Sequence, residues 1–274
     1  MTIWRLILMI VSAYFTHRKG MKQLRTARLH HTAIDGILTA YRNGDYQSAL
    51  HIAESMKGDP TLADSYFFFT GTMMMNLGRF QEAERRLRQN LTVVPDEKRR
   101  ALAHSSLGQL LLELQRYDEA LECFHTSLQY WPDRGSSHRD LAEACLRKGG
   151  HADAVKWARL AVQEDRDQLE TSNSPALEDV ANINLAEDLS TLAWAVAADS
   201  GDSAQVDRLV NEAESLSFTA ASPKAQVQCH AGRAYLALGD SVRSEHHFSE
   251  AARIDPNGLW GRAGQAMSAT GVNA

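Results

Sequence analysis

The chain has 274 residues, of which 44% are hydrophobic and 23% charged, a balance that excludes wholesale disorder and a polytopic membrane protein. Its net charge of −5 conceals an asymmetry. Residues 1–34 hold six Lys or Arg and no Asp or Glu, leaving 23 bases against 34 acids, a charge of −11, for the rest. An acidic body disfavours non-specific nucleic-acid binding, because phosphate contacts need clustered Lys and Arg. Cys123, Cys145 and Cys229 form no C-x-x-C pair and would leave one thiol over if two were bridged, so they read as reduced packing residues of a reducing compartment.

At the N-terminus, Ile3 to Phe15 is apolar except for Arg5 and Ser12, and Thr16-His17-Arg18-Lys19 closes the run. These 13 residues fall short of the roughly 20 needed to span a bilayer as a helix. The first reading is a short or interfacial anchor whose basic cluster meets the cytoplasmic leaflet. The alternatives are a helix capping the array described next and a cleaved signal, the last weakened by the poor cleavage site at Val11 to Thr16.

Next along the chain comes a repeated phrase, aromatic-x-x-Ala: Tyr46 to Ala49, Phe80 to Ala83, Tyr117 to Ala120, and His151 to Ala154 with histidine in the aromatic slot. The alanines are spaced by 34, 37 and 34 residues. Twelve residues upstream of the last three lie Gly71, Gly108 and Ala142, and twelve downstream of Ala83 and Ala120 lie Pro95 and Pro132. The third unit carries Leu107-Gly108, Leu111, Tyr117, Ala120, Phe124 and Pro132; the second carries Phe67, Gly71, Met74, Phe80, Ala83, Leu87 and Pro95. Near the end, Gly232, Tyr235, Gly239, Phe248, Ala251 and Pro256 repeat the pattern.

This pattern resembles the tetratricopeptide repeat family, a 34-residue helix-turn-helix unit. The resemblance implies an all-α fold, a right-handed α-solenoid of such repeats with terminal capping helices. Weaker units depart from it: the first has Ile37 where glycine is usual, the fourth has His151 and Ala158 in aromatic slots, and a fifth runs through Leu192-Ala193, Val196, Gly201, Val206, Val210 and Ala213 with slack in its turn. The expected organisation is an N-terminal apolar and basic segment over 1–29, units one to four over 30–166, a linker over 167–185, units five and six over 186–256, and a capping helix with a frayed tail over 257–274. Ser174-Pro175 reads as an N-cap with proline at the first helical position.

Chemistry is scarce. The adjacent pairs His30-His31 and His246-His247 cannot share one ion on a helix, and no H-x-x-x-H or H-E-x-x-H motif occurs. His104 and His138, 34 apart, occupy one repeat slot and read as packing residues. No phosphate-binding glycine loop or nucleophile elbow is present. The expectation is therefore no catalytic residue, no cofactor and no metal. The basic stretch Arg85, Arg86, Arg88, Lys98, Arg99 and Arg100 reads as turn and helix-end charges rather than a nucleic-acid patch. Asn90-Leu91-Thr92 matches a glycosylation sequon inside an expected helix and reads as chance.

Solenoids present a concave face, and in the resembled family that face is lined by the first helix of each unit. Its groove positions fall on Ile34, Leu38 and Tyr41 in the first unit, Phe68, Thr72 and Met75 in the second, Ser105, Gln109 and Leu112 in the third, and Arg139, Glu143 and Leu146 in the fourth. The Lys and Asn with which some members clamp a terminal carboxylate are absent from these slots. The implied function is a non-enzymatic scaffold or adaptor that docks a helix or extended segment of a protein partner. It would sit in the cytoplasm, with membrane tethering through residues 3–15. The alternative is a soluble regulatory or assembly factor that self-associates through open repeat ends. A self-occupied groove, filled by the N-terminal helix, competes with an open one.

Overall fold

A computed structural model describes residues 31–132, 135–171 and 175–269. The segment 1–29, His30, the Ser174 cap and the tail 270–274 lie outside the described residues. Helix α1, described over 31–42, is followed by α2 (Tyr46–Glu54), a 3₁₀ turn (Pro60–Leu62), α3 (Ala63–Asn76), α4 (Phe80–Val93), α5 (Glu97–Glu113) and α6 (Tyr117–Tyr130). Then come α7 (Gly135–Lys148), α8 (His151–Thr171), α9 (Pro175–Asp199), α10 (Ser203–Ser215), α11 (Ala221–Ala237), α12 (Ser241–Ile254) and α13 (Leu259–Ala269). Successive pairs from α1–α2 to α11–α12 form six helix-turn-helix units, capped by α13.

The turn inside each unit has one geometry. The residue two before the second helix is left-handed: Gly44, Gly78, Gly149, Gly201 and Gly239 have φ between 67° and 89°, and in unit three Gln115 takes the same place at φ 58°. Backbone bonds close this turn in the same way, Arg79 N to Met74 O at 2.8 Å and Arg116 N to Leu111 O at 2.9 Å, which satisfies carbonyls orphaned at the end of the first helix. The second helix then starts from a side-chain cap in units one, five and six, where Asp45, Asp202 and Asp240 each accept a backbone N–H three residues on.

Packing within a unit follows from size complementarity. Gly71, Gly108 and Gly232 on first helices face Leu87, Phe124 and Phe248, so closely that a Cβ on these glycines would lie 2.8, 2.4 and 2.7 Å from the facing side chain. Unit one reverses the sizes, with Ile37 and Ala53 in the corresponding slots, and unit four pairs Ala142 with Ala158; all four are fully buried. In unit five the first-helix slot holds Trp194, half-buried, and Val210 faces its position. That substitution accounts for the slack visible in the sequence.

One apolar cluster runs from Ile37 to Ala144 through the first four units, a second joins α7 to α11, and a third holds α11, α12 and α13 together through Phe248, Ala251, Trp260 and Met267. Residues 167–185, expected as a linker, are instead helical up to Thr171 and again from Pro175. α9, with 25 residues, packs Leu185, Ala186, Leu189, Leu192 and Ala193 into the second cluster, so burial extends the helix through a stretch whose sequence lacks the repeat pattern. The capping helix expected after Pro256 is α13.

Candidate docking groove

The first helices of units one to four place Tyr41, Thr72, Met75, Gln109, Leu112, Arg139 and Glu143 around one cavity of about 200 Å³. Asn76 and Glu113 complete this wall. The opposite wall is made by the far end of the chain: Glu187 of α9, Ser222 and Gln226 of α11, and Leu259 and Trp260 of α13. The concave face is thus closed over by units five and six and their cap.

Three polar contacts join the two ends. Tyr46, at the start of α2 and 1% exposed, donates its hydroxyl to Asp255 Oδ2 at 2.6 Å across 209 residues of sequence. Tyr41, edge-on to the Tyr46 ring at 5.7 Å, donates to Ser222 Oγ at 3.4 Å. Arg262 of α13 donates to the Asn76 carbonyl at 2.7 Å and lies over the Gly78 turn, where a cation meets the negative end of α3. Burial pushes Asp255 above the usual carboxylate range, against the pull of the Tyr46 hydroxyl, the Gly258 N–H and Arg262.

Beneath the cavity lies a buried ionic network. Arg139 pairs with Glu187 at 2.8 Å and Asp188 at 2.6 Å, and Arg147 pairs with Glu113 at 2.9 Å and Glu143 at 2.6 Å. Ser105 and Gln109 donate to Asp140 at 2.6 and 3.1 Å. Burial pushes Glu143 upward, but Arg147, His230 and Arg233 outweigh it and hold the carboxyl below its ordinary range. Asp188 is opposite: burial, opposed by Arg139 and reinforced by Asp165, pushes it well above that range. The net effect is charge compensation inside a repeat core, with guanidinium groups tying α5, α7 and α9 together.

The remaining groove positions behave differently. Ile34 and Phe68 line a separate apolar cleft of about 180 Å³ with Phe69, Val94 and Leu102, rimmed by Asp64 and Arg99. Leu38 is 41% exposed and lines neither space. Leu146 is core, packed with Ala154 and Ala195, because the long α9 covers the end of α7. Ser105 is buried beneath the groove, on Asp140. The network partners Glu187, Asp188 and Arg233 went unread in the sequence; the signal was Glu187-Asp188 inside the apolar run from Ile183 to Ala198. Asp165, in a run of charges from Glu164 to Asp167 that reads as a solvated helix face, is instead buried.

Other motifs find local partners. His104 stacks on Tyr130 at 6.0 Å, and His138 stacks on Trp157 at 5.6 Å with Nδ1 2.8 Å from Glu164. Among the described residues no group of three His, Cys, Asp or Glu side chains comes together to hold a metal. Arg88 pairs with Glu84 and Arg99 with Asp64, while Lys98 and Arg100 lie over Trp131 and Tyr130, so much of the basic stretch is engaged within the fold. Asn90 is buried and donates to the Asp64 carbonyl at 2.8 Å. No described helix is long and apolar enough to cross a membrane.

A tetratricopeptide repeat family profile matches residues 74–122 and 105–168, from the end of α3 to α8. Residues 74–168 are tetratricopeptide repeats. A curated relative, Protein O-mannosyl-transferase Tmtc1 of Drosophila melanogaster, is 34% identical over 89 residues, 31% of this chain. The chain spans about 10% of that relative's length. Among solved structures, MamA from Desulfovibrio magneticus RS-1 is similar at a TM-score of 0.45 and 16% identity, over 69% of this chain and 94% of that one. BtubC from P. vanneervenii is similar at 0.48 and 17%, over 82% and 91%. The tetratricopeptide array is a fold suited to protein docking, since stacked units build an extended concave surface.

Proposed function

We propose that this tetratricopeptide-repeat protein is a non-enzymatic scaffold that docks a segment of a partner protein on the concave face of units one to four. The observation that carries this reading is the convergence of Tyr41, Thr72, Met75, Gln109, Leu112 and Arg139, from four successive first helices, on one cavity. The wall mixes apolar, amide and charged groups, which suits a polypeptide segment better than a small apolar ligand. Tethering through residues 3–15 to the cytoplasmic face of a membrane is the finer part of the proposal.

Quantitative capture from the source cells tests the docking surface. Thr72→Arg, inside the cavity, should lose the partner, whereas Gln129→Arg, exposed on α6, should retain it, with helical content unchanged in both. Equal capture by the two variants would refute docking in the groove. Tethering is tested by fractionating the full-length chain with and without residues 1–20: sedimentation of the full-length form alone, resistant to a high-salt wash, supports it, and a soluble full-length form refutes it.

A further inference from the structure

The concave face already has an occupant, the end of the chain itself. Between Asp255 and Arg262 the cap offers the groove three things: a carboxylate to the Tyr46 hydroxyl, the Leu259-Trp260 pair to the cavity, and a guanidinium to the carbonyl end of α3. The carboxylate is held in place by a tight turn, since Gly258 donates its N–H to the Asp255 carbonyl at 3.1 Å and a Cβ on Gly258 would overlap the Asp255 side chain. The guanidinium lies against the Gly78 turn, whose missing side chain leaves it room.

This seam differs in kind from every other junction of the array. Neighbouring units share apolar clusters, yet among the described residues no apolar cluster contains side chains from both α1–α3 and α11–α13. The ends meet through hydrogen bonds that water can replace, whereas the units stack by burying surface that water cannot solvate. Separation at the seam therefore leaves these clusters intact, and α13 moves with α12, to which Phe248, Ala251 and Trp260 bind it.

We propose that the seam is a latch, and that the partner segment which opens it presents the same three groups: a carboxylate, an apolar-aromatic pair and an arginine about seven residues after the carboxylate. The cap is a built-in competitor that keeps the groove closed until such a segment displaces it. This rests on the concave face being the docking surface.

Hydrogen exchange followed by mass spectrometry on the full chain reads the latch without any partner. In Tyr46→Phe and in Arg262→Gln, amides around 41–46, 76–79 and 255–262 should exchange about tenfold faster than in the wild type, the ratio that one lost charge-assisted hydrogen bond supports. Amides of α5 to α8 should be unchanged. Arg262→Lys, which keeps a cationic donor for the Asn76 carbonyl, should restore slow exchange. A synthetic peptide of residues 253–269 is then the probe for recognition. It should bind the Arg262→Gln chain about tenfold more tightly than the wild type, and a peptide carrying Asp255→Asn and Arg262→Gln should not bind. Unchanged exchange at the seam in both variants, or acceleration spread equally over α5 to α8, would overturn the latch. Faster seam exchange without peptide binding would overturn the mimicry. If latch and peptide behave as expected but Thr72→Arg still captures the cellular partner, the docking reading fails while the latch stands.

Discussion

Gly108→Ala probes the interlock on which the repeat depends. The new Cβ would lie 2.4 Å from Phe124 Cε1 and 2.8 Å from Cδ1 and Cζ. Carbon atoms in favourable contact sit about 3.5 Å apart or more, so the ring or the helix must move by about 1 Å. Phe124 is fully buried in the first apolar cluster. Overpacking of this kind costs about 3 kcal/mol at the upper end, and alanine returns about 1 kcal/mol of helix propensity, which leaves about 2 kcal/mol of destabilisation. For a chain of this size that corresponds to a fall of about 4–8 °C in Tm. Gly36→Ala is the control, because its Cβ would meet only the flexible end of Ile52 at 3.3 Å. It should be as stable as the wild type or more so. Thermal and urea unfolding followed by circular dichroism read both variants. A Gly108→Ala chain as stable as Gly36→Ala would refute the interlock and the register built on it.

Two further outcomes follow from the same geometry. Gln115 is the one left-handed residue among the six turns that is not glycine, so Gln115→Gly should relieve backbone strain and raise stability by about 0.5–1 kcal/mol, measured by urea unfolding; a destabilised variant would contradict the shared turn geometry. Asp188→Asn keeps an oxygen for Arg139 and removes a carboxyl whose folded pKa is raised well above its ordinary 3.8. A raised folded pKa means that Asp188 stabilises most below that ordinary value and loses this contribution as pH rises. The variant's Tm should therefore match the wild type near pH 4 and exceed it as pH rises above that, and a difference that shrinks or turns negative with rising pH would refute the burial-driven rise at Asp188.

The repeats were legible wherever the small and large slots kept their residue types, as in Gly71 with Leu87, Gly108 with Phe124 and Gly232 with Phe248. Unit five blurred because Trp194 fills the small slot, and because Glu178 to Leu185 belongs to a helix extended by tertiary burial rather than by pattern. The groove was half legible. Local register identifies which residues share the inner face of a first helix, and so picked out Tyr41, Thr72, Met75, Gln109, Leu112 and Arg139. It cannot sum the rotation of six units, so it gave no sign that Asp255 would meet Tyr46. The N-terminal helix, the occupant expected for a filled groove, lies outside the described residues; among those described, the C-terminal cap lines the cavity. Ile34 and Phe68 share the helix face but sit one or two turns away from the closure, and Leu146 is covered by a helix whose length the sequence concealed.

A photo-reactive benzoylphenylalanine at Tyr41, which lines the cavity, compared with one at Gln129, exposed on α6, tests the central claim in the cells the chain comes from. A discrete cross-link to a partner protein should form from position 41 and none to that partner from position 129. A partner captured from position 129 and not from position 41 would contradict that claim.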